Sequence, residues 1–188
     1  MKINKEIRET IIMVLVAVIV FFAMRFSVQT YVVFGPSMEP NYTANEWVIV
    51  NKLEYRFGEP ERGDVVVLWS PYNEKTRFIK RVIGLPGESV EVKNGTVYVY
   101  TVSGVKLTLS EPYIKYIATQ DFPKTKVAEG QYFMMGDNRV NSEDSRHGWT
   151  ITRDKIIGKA WLDIWPPARW GLAPNHVLPG ATATASTP

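Results

Sequence analysis

The 188-residue chain contains no cysteine. That excludes disulfide staples, thiolate nucleophiles and cysteine-ligated metal together. Histidine is almost as scarce. Only His147 and His176 are present, and neither has flanking residues that suggest a catalytic base, although folding can bring either near a serine. A dominant charge of one sign is lacking too: 22 basic against 19 acidic residues leave a formal net charge of +3. Lys80-Arg81 is only a pair, so the basic run expected of a nucleic-acid-binding protein is missing. No internal repeat is visible, and no long amphipathic helix follows the first 30 residues.

What is there suits a folded protein. Apolar residues make up 45% and charged residues 22%, enough apolar surface for one compact domain rather than a disordered chain. The one long hydrophobic run is Ile11 to Met24, preceded by Lys2, Lys5 and Arg8. As a helix its fourteen positions span roughly 21 Å at ~1.5 Å per residue, short of the ~30 Å hydrocarbon core. Arg25 can snorkel, and Phe26 and Val28 extend the apolar stretch. A cleavable signal peptide is the rival reading, but Ala23-Met24-Arg25 is a poor small-x-small cleavage site. The expectation is an uncleaved anchor over 11–28, a cytoplasmic N-terminus at 1–10 and an outward-facing domain after it.

Beyond Arg25 the period changes from helical to alternating, through Val28, Thr30, Val32 and Phe34. Further β-branched and aromatic runs predict strands at Trp47–Val50, Val65–Trp69, Arg77–Ile83, Gln131–Met135 and Ala160–Ile164. Leu85-Pro86-Gly87-Glu88 reads as a turn. Asn94-Gly95 between Val90–Val92 and Thr96–Val99 predicts a tight hairpin. The expected fold is mostly β: an antiparallel β core at 29–176 with a small inserted β subdomain near 94–130, preceded by one transmembrane helix. Residues 177–188, which include PGATATASTP, read as a flexible tail.

Three segments carry possible chemistry. In Gly35-Pro36-Ser37-Met38-Glu39-Pro40 a serine is bracketed by turn-forming residues, which can expose its hydroxyl and aim nearby N–H groups at one point. On composition alone the segment is equally a plain Pro-rich turn. Lys80 interrupts an apolar strand, on one face with Phe78 and Val82. Burial there lowers an amine's pKa and leaves the neutral form a base needs; a solvated strand lysine is the other reading. In Gly136-Asp137-Asn138-Arg139-Val140-Asn141-Ser142-Glu143-Asp144-Ser145-Arg146 polar side chains are dense, and Asp144 and Arg146 are spaced to pair or to hold separate loops. An ordinary polar turn fits as well. The carboxylates Asp137, Glu143 and Asp144 miss the EF-hand spacing, which argues against calcium. No metal or other cofactor is expected.

Taken together, these segments resemble the bacterial type I signal peptidases. The order is an apolar N-terminal run, GPSMEP at 35–40, GDVVV at 63–67, KRVIGLPGE at 80–88 and GDNRVNSEDSRHG at 136–148. The resemblance spans nearly the whole chain except the tail. It implies a membrane-bound serine endopeptidase that removes signal peptides from exported preproteins after small residues of the Ala-X-Ala type. It implies Ser37 as nucleophile, assisted by its own N–H at the oxyanion, and neutral Lys80 as general base. Ser142 is expected to hydrogen-bond the Lys80 amine, Asp144 and Arg146 to brace the site, and Gly136, Asp137 and Asn138 to build the loop that carries them. Val33, Met38 and Ile79 match positions lining small apolar substrate pockets. The implied partners are preprotein signal peptides, bound as an added strand, and the phospholipid bilayer; the implied state is a single-pass monomer. Two departures stand out. Many relatives have Thr where this chain has Asn41, and some have a hydroxyl residue where it has Gly35. Two other readings are a self-cleaving peptidase like the SOS repressors and a non-catalytic anchored β scaffold. The apolar run argues against the first, the intact Ser37, Lys80, Ser142, Asp144 and Arg146 set against the second.

Overall fold

The structure is a computed structural model that describes residues 4–178. It opens with helix α1, Lys5–Ser27. At 23 residues it is roughly 35 Å long at ~1.5 Å per residue. The helix is therefore longer than the apolar run, because residues 5–10 precede it and Arg25, Phe26 and Ser27 continue it. Its best window has a mean hydropathy of 2.4 and none of it packs against protein. It is the one helix among the described residues that is long and apolar enough to cross a membrane.

The chain then turns directly into strand β1, Val28–Val32, and continues through β2, Trp47–Asn51. A four-residue helix α2, Glu54–Phe57, leads to β3, Val65–Trp69, and β4, Arg77–Gly84. Next come β5, Ser89–Lys93, β6, Thr96–Tyr100, β7, Lys106–Thr108, and β8, Phe122–Lys126. The last strands are β9, Gln131–Met135, β10, Ile151–Thr152, β11, Ile156–Trp165, and β12, Gly171–Leu172. They form two sheets: eight strands in the order β1-β2-β11-β3-β4-β9-β10, with β12 on β11, and four in the order β7-β6-β5-β8. All the pairings are antiparallel. The body is thus the mostly β core with a second, smaller sheet that the residue pattern predicts.

That smaller sheet takes in β5 as well as the residues after 94, because Asn94 and Gly95 are the corner of the β5–β6 hairpin and not the start of the insert. Both adopt positive φ, 49° and 76°, as a two-residue turn of this type demands. The crossover between sheets is pinned by a buried ion pair. Arg62 grips both oxygens of Glu88 at 2.9 and 2.7 Å and donates to the Ile83 carbonyl, while Glu88 also accepts from the Leu85 N–H.

Three buried clusters fill the body. One joins the smaller sheet to the end of β4 through Ile83, Val90, Val99 and Phe133. A second, with Val33, Met38, Tyr42, Val48, Val65 and Ile79, supports the turn that carries Ser37. The third lies around Val66, Leu68, Val82 and Met134. The segment after β12 is also tied down: Asn175 accepts from the Val65 N–H and donates to the Ala160 carbonyl, and Leu178 is buried. The tail from 179 onward lies outside the described residues.

Candidate active site

Ser37 stands in the turn after β1. The Gly35 backbone at φ +77° starts that turn, and the Glu39 N–H bonds back to the Pro36 carbonyl. Successive side chains there diverge. Ser37 faces a cleft of about 710 Å³, lined among others by Val33, Val48, Phe78, Ile79 and Lys80, whereas Met38 points inward and is fully buried. Val33 and Ile79 line the cleft. Met38 does not; it is core beneath the turn, packed with Tyr42 and Val48.

Lys80 comes from the middle of β4, and its amine reaches the serine: Nζ and Ser37 Oγ are 2.7 Å apart across 43 positions of sequence. The amine also donates to the Ile79 carbonyl at 3.1 Å and lies 5.2 Å from the centre of the Phe78 ring. The residue is only 3% exposed. Burial pushes the amine down to about 8, against a smaller opposing pull from Asp144, Asp137 and Glu143. A lysine at that value is substantially neutral in mildly alkaline solution, and with the amine neutral the serine hydroxyl donates to it.

The loop after β9 closes the other side. The Asn138 N–H donates to the Ser37 carbonyl at 3.0 Å, and its side-chain amide to the Pro36 carbonyl at 3.2 Å. Asp144 accepts from Arg146 Nε and Nη2, each at 2.8 Å, and from the Gly136 N–H at 3.0 Å. Burial would raise this carboxyl, but the Arg146 bonds and charge, with help from Gly136 and Ser142, hold it below the usual carboxylate range. Arg146 also donates to the Arg139 carbonyl at 2.9 Å. The pair thereby ties together residues 136, 139, 144 and 146 of the loop.

Ser142 departs from expectation. Its hydroxyl is buried and makes no hydrogen bond to Lys80; Asp144 is the polar group it serves. Ser142 instead packs against Gly136, beside Asp144.

Reading the residues alone missed several parts of the site. Arg81, beside Lys80, is fully buried and holds Asp137 through Nε and Nη2 at 2.8 and 2.7 Å. It also donates to the Gly63 and Pro174 carbonyls. A second charged residue in an apolar strand was the available signal. Glu143 is clamped by the Tyr72 hydroxyl at 2.5 Å and the Trp149 indole at 3.2 Å, which no local pattern announces. Among the described residues no group of three or more metal-ligating side chains occurs. His147 lies in the bracing loop against Glu143, and His176 stacks on Tyr113; neither is hydrogen-bonded to Ser37.

Residues 7–165 match the family described as signal peptidase, peptidase S26. A signal peptidase IB of Staphylococcus aureus (strain COL) is 38% identical over 182 residues, covering 87% of this chain and 92% of its own. A probable signal peptidase I-2 of Synechocystis is 38% identical over 162 residues, covering 83% and 72%. A crystal structure of a signal peptidase I from Enterococcus faecalis, 32% identical, aligns with a TM-score of 0.43 over 54% of this chain and 97% of that one.

Proposed function

The chain belongs to the signal peptidase S26 family of serine endopeptidases, and from that premise we propose that Ser37 is its nucleophile and neutral Lys80 its general base. The observation that carries the reading is the 2.7 Å contact between a buried amine and one hydroxyl. Ser37 Oγ attacks the scissile carbonyl as its proton passes to Lys80 Nζ. The same proton then leaves with the amine of the departing chain, giving an ester on Ser37. Water, deprotonated by Lys80, hydrolyses that ester and frees the serine. The Ser37 N–H donates to no group among the described residues, which leaves it available to the oxyanion.

The substrate is the signal peptide of an exported preprotein, cut after an Ala-X-Ala type sequence. Two open strand edges favour an extended substrate. β4 is paired with β3 along Arg77–Arg81, but β9 joins its other edge only from Arg81 onward. β1 pairs only with β2. The cleft lies between these edges, so a peptide there can add as a strand and set alternate side chains against Val33 and Ile79. α1 anchors the enzyme in the bilayer, its basic N-terminus cytoplasmic and its β body outside. That orientation brings the cleft to the side where signal peptides emerge. Incubating a preprotein with wild type, Ser37→Ala and Lys80→Ala tests the reading. Both variants should stay folded and lose cleavage, and the cut should map after Ala-X-Ala. Near-wild-type turnover by Lys80→Ala would defeat it.

A further inference from the structure

Four residues form a closed ring of contacts behind the serine–lysine pair. The Asn41 side-chain amide carries two N–H bonds. One donates to Asp137 Oδ2 at 2.7 Å and the other to the Tyr113 carbonyl at 3.1 Å. Asp137 receives Arg81 through both its oxygens. The Arg81 guanidinium in turn lies 4.0 Å from the centre of the Tyr113 ring, which closes the circuit. Asp137 and Arg81 are fully buried.

The ring matters because of what each member carries. Asn41 ends the turn that presents Ser37, and the following Tyr42 N–H bonds back to the Met38 carbonyl. Arg81 is the neighbour of Lys80 on β4. Asp137 opens the loop whose next residue, Asn138, holds the Ser37 and Pro36 carbonyls. The nucleophile's turn and the base's strand are 43 residues apart, and the Asn41–Asp137–Arg81 line is the side-chain connection between them. Resting on the Ser37–Lys80 reading, we propose that Asn41 is a positioning residue: its paired N–H donors lock the Ser37 turn to the Arg81–Asp137 ion pair and so set the reach of Lys80 to Ser37.

Threonine, alanine and aspartate at this position would differ from Asn41 in the donors they offer. A hydroxyl has one hydrogen to donate and sits on a shorter side chain, so it serves one of the two acceptors at most. Alanine serves neither. Aspartate has no donor and sets a second carboxylate against Asp137.

The experiment is a donor-count series on the full-length, detergent-solubilised enzyme: wild type, Asn41→Thr, Asn41→Ala and Asn41→Asp. Steady-state cleavage of one preprotein is measured across pH, with thermal melting in parallel. Expected is a graded loss of kcat in that order, on the order of 10-fold for Asn41→Ala, since a displacement of about 1 Å at a reacting pair can cost up to about 10²-fold. KM should stay near wild type, because Asn41 does not line the cleft. The alkaline rise of kcat/KM should move to higher pH in Asn41→Ala. Asp137, Asp144 and Glu143 are the charges that raise the Lys80 pKa, and Asp137 would act on Lys80 with one compensating donor fewer. A lower melting temperature with kcat and the pH rise unchanged would overturn the proposal, since a purely structural residue acts that way. So would equal rates for the Thr and Ala variants. If wild type itself shows no rise that Lys80→Ala abolishes, the dyad reading fails and not the Asn41 assignment alone.

Discussion

Gly136 and Ser142 leave no room between them for another carbon: a Cβ on Gly136 would lie 2.1 Å from Ser142 Oγ, and 2.4 Å from the Ser37 carbonyl oxygen. The backbone of the bracing loop thus touches the nucleophile's own backbone. Gly136→Ala must push one of them away. We expect a loss of about 1–3 kcal/mol in denaturant unfolding, the usual cost of overpacking. The larger effect should be a fall in preprotein cleavage of up to about 10²-fold, because the displaced group belongs to the nucleophile. Unchanged turnover in this variant would mean that the contact does not position Ser37.

The buried amine of Lys80 sets the enzyme's pH behaviour. A base held at about 8 in the fold is charged below that pH and neutral above it, so kcat/KM should rise with pH through about 8 rather than near 10.4, the value of a free lysine. Stability should follow the same group. Between about 8 and 10.5 the unfolded chain binds the proton and the folded one does not, so Lys80 contributes a stability that increases with pH across that window. Below it, keeping the charge buried costs roughly 3 kcal/mol. Lys80→Met should therefore abolish activity and raise the melting temperature at pH 7, with the gain shrinking above pH 10. A melting temperature lowered equally at both pH values would contradict it.

Arg81 and Asp137 form a fully buried ion pair. Removing one partner strands the other without solvent, so Arg81→Met should cost about 3–5 kcal/mol. The double variant Arg81→Met with Asp137→Leu should recover much of that in a double-mutant cycle. Additive losses would show that the two charges do not compensate each other.

Asp163 sits beside the buried Tyr42 hydroxyl and Glu46. Burial raises its carboxyl to about 6, with Glu46 adding to the effect and Tyr42 and Arg169 opposing it. A folded pKa above the unfolded value of 3.8 means that the fold takes up a proton in that window and loses stability as pH rises through it. Asp163→Asn should raise the melting temperature at pH 8, and the gain should fade as pH drops from 6 to 4. A gain independent of pH would point to packing instead.

Local pattern was a good guide wherever one strand or one turn sufficed. Val65–Trp69 and Gln131–Met135 read as strands from their β-branched and aromatic runs and fold as β3 and β9 over those residues. Asn94-Gly95 read as a hairpin corner because only residues tolerant of positive φ fit there. Asp144 and Arg146, two positions apart, pair because a short turn brings them together. The smaller sheet was placed too late in the chain, since β5 looked like part of the main body until its partners β6 and β8 were known. Met38 matched a pocket position, yet its side chain goes to the core, because facing in a turn depends on what lies beneath. Arg81 stood out as a second charge in an apolar strand, but neither it nor Asn41 pointed to Asp137, which lies 56 and 96 residues away.

By itself, then, the order of residues determined the apolar helix, the strands and the hairpin corner, all of which follow from neighbours within a turn or two of backbone. Packing of distant segments alone decided that the Lys80 amine loses its water, that Ser37 is the group it meets and that Asn41 ties the two together. Desolvation and contact between distant parts of the chain are properties of the packed interior, which no local pattern encodes.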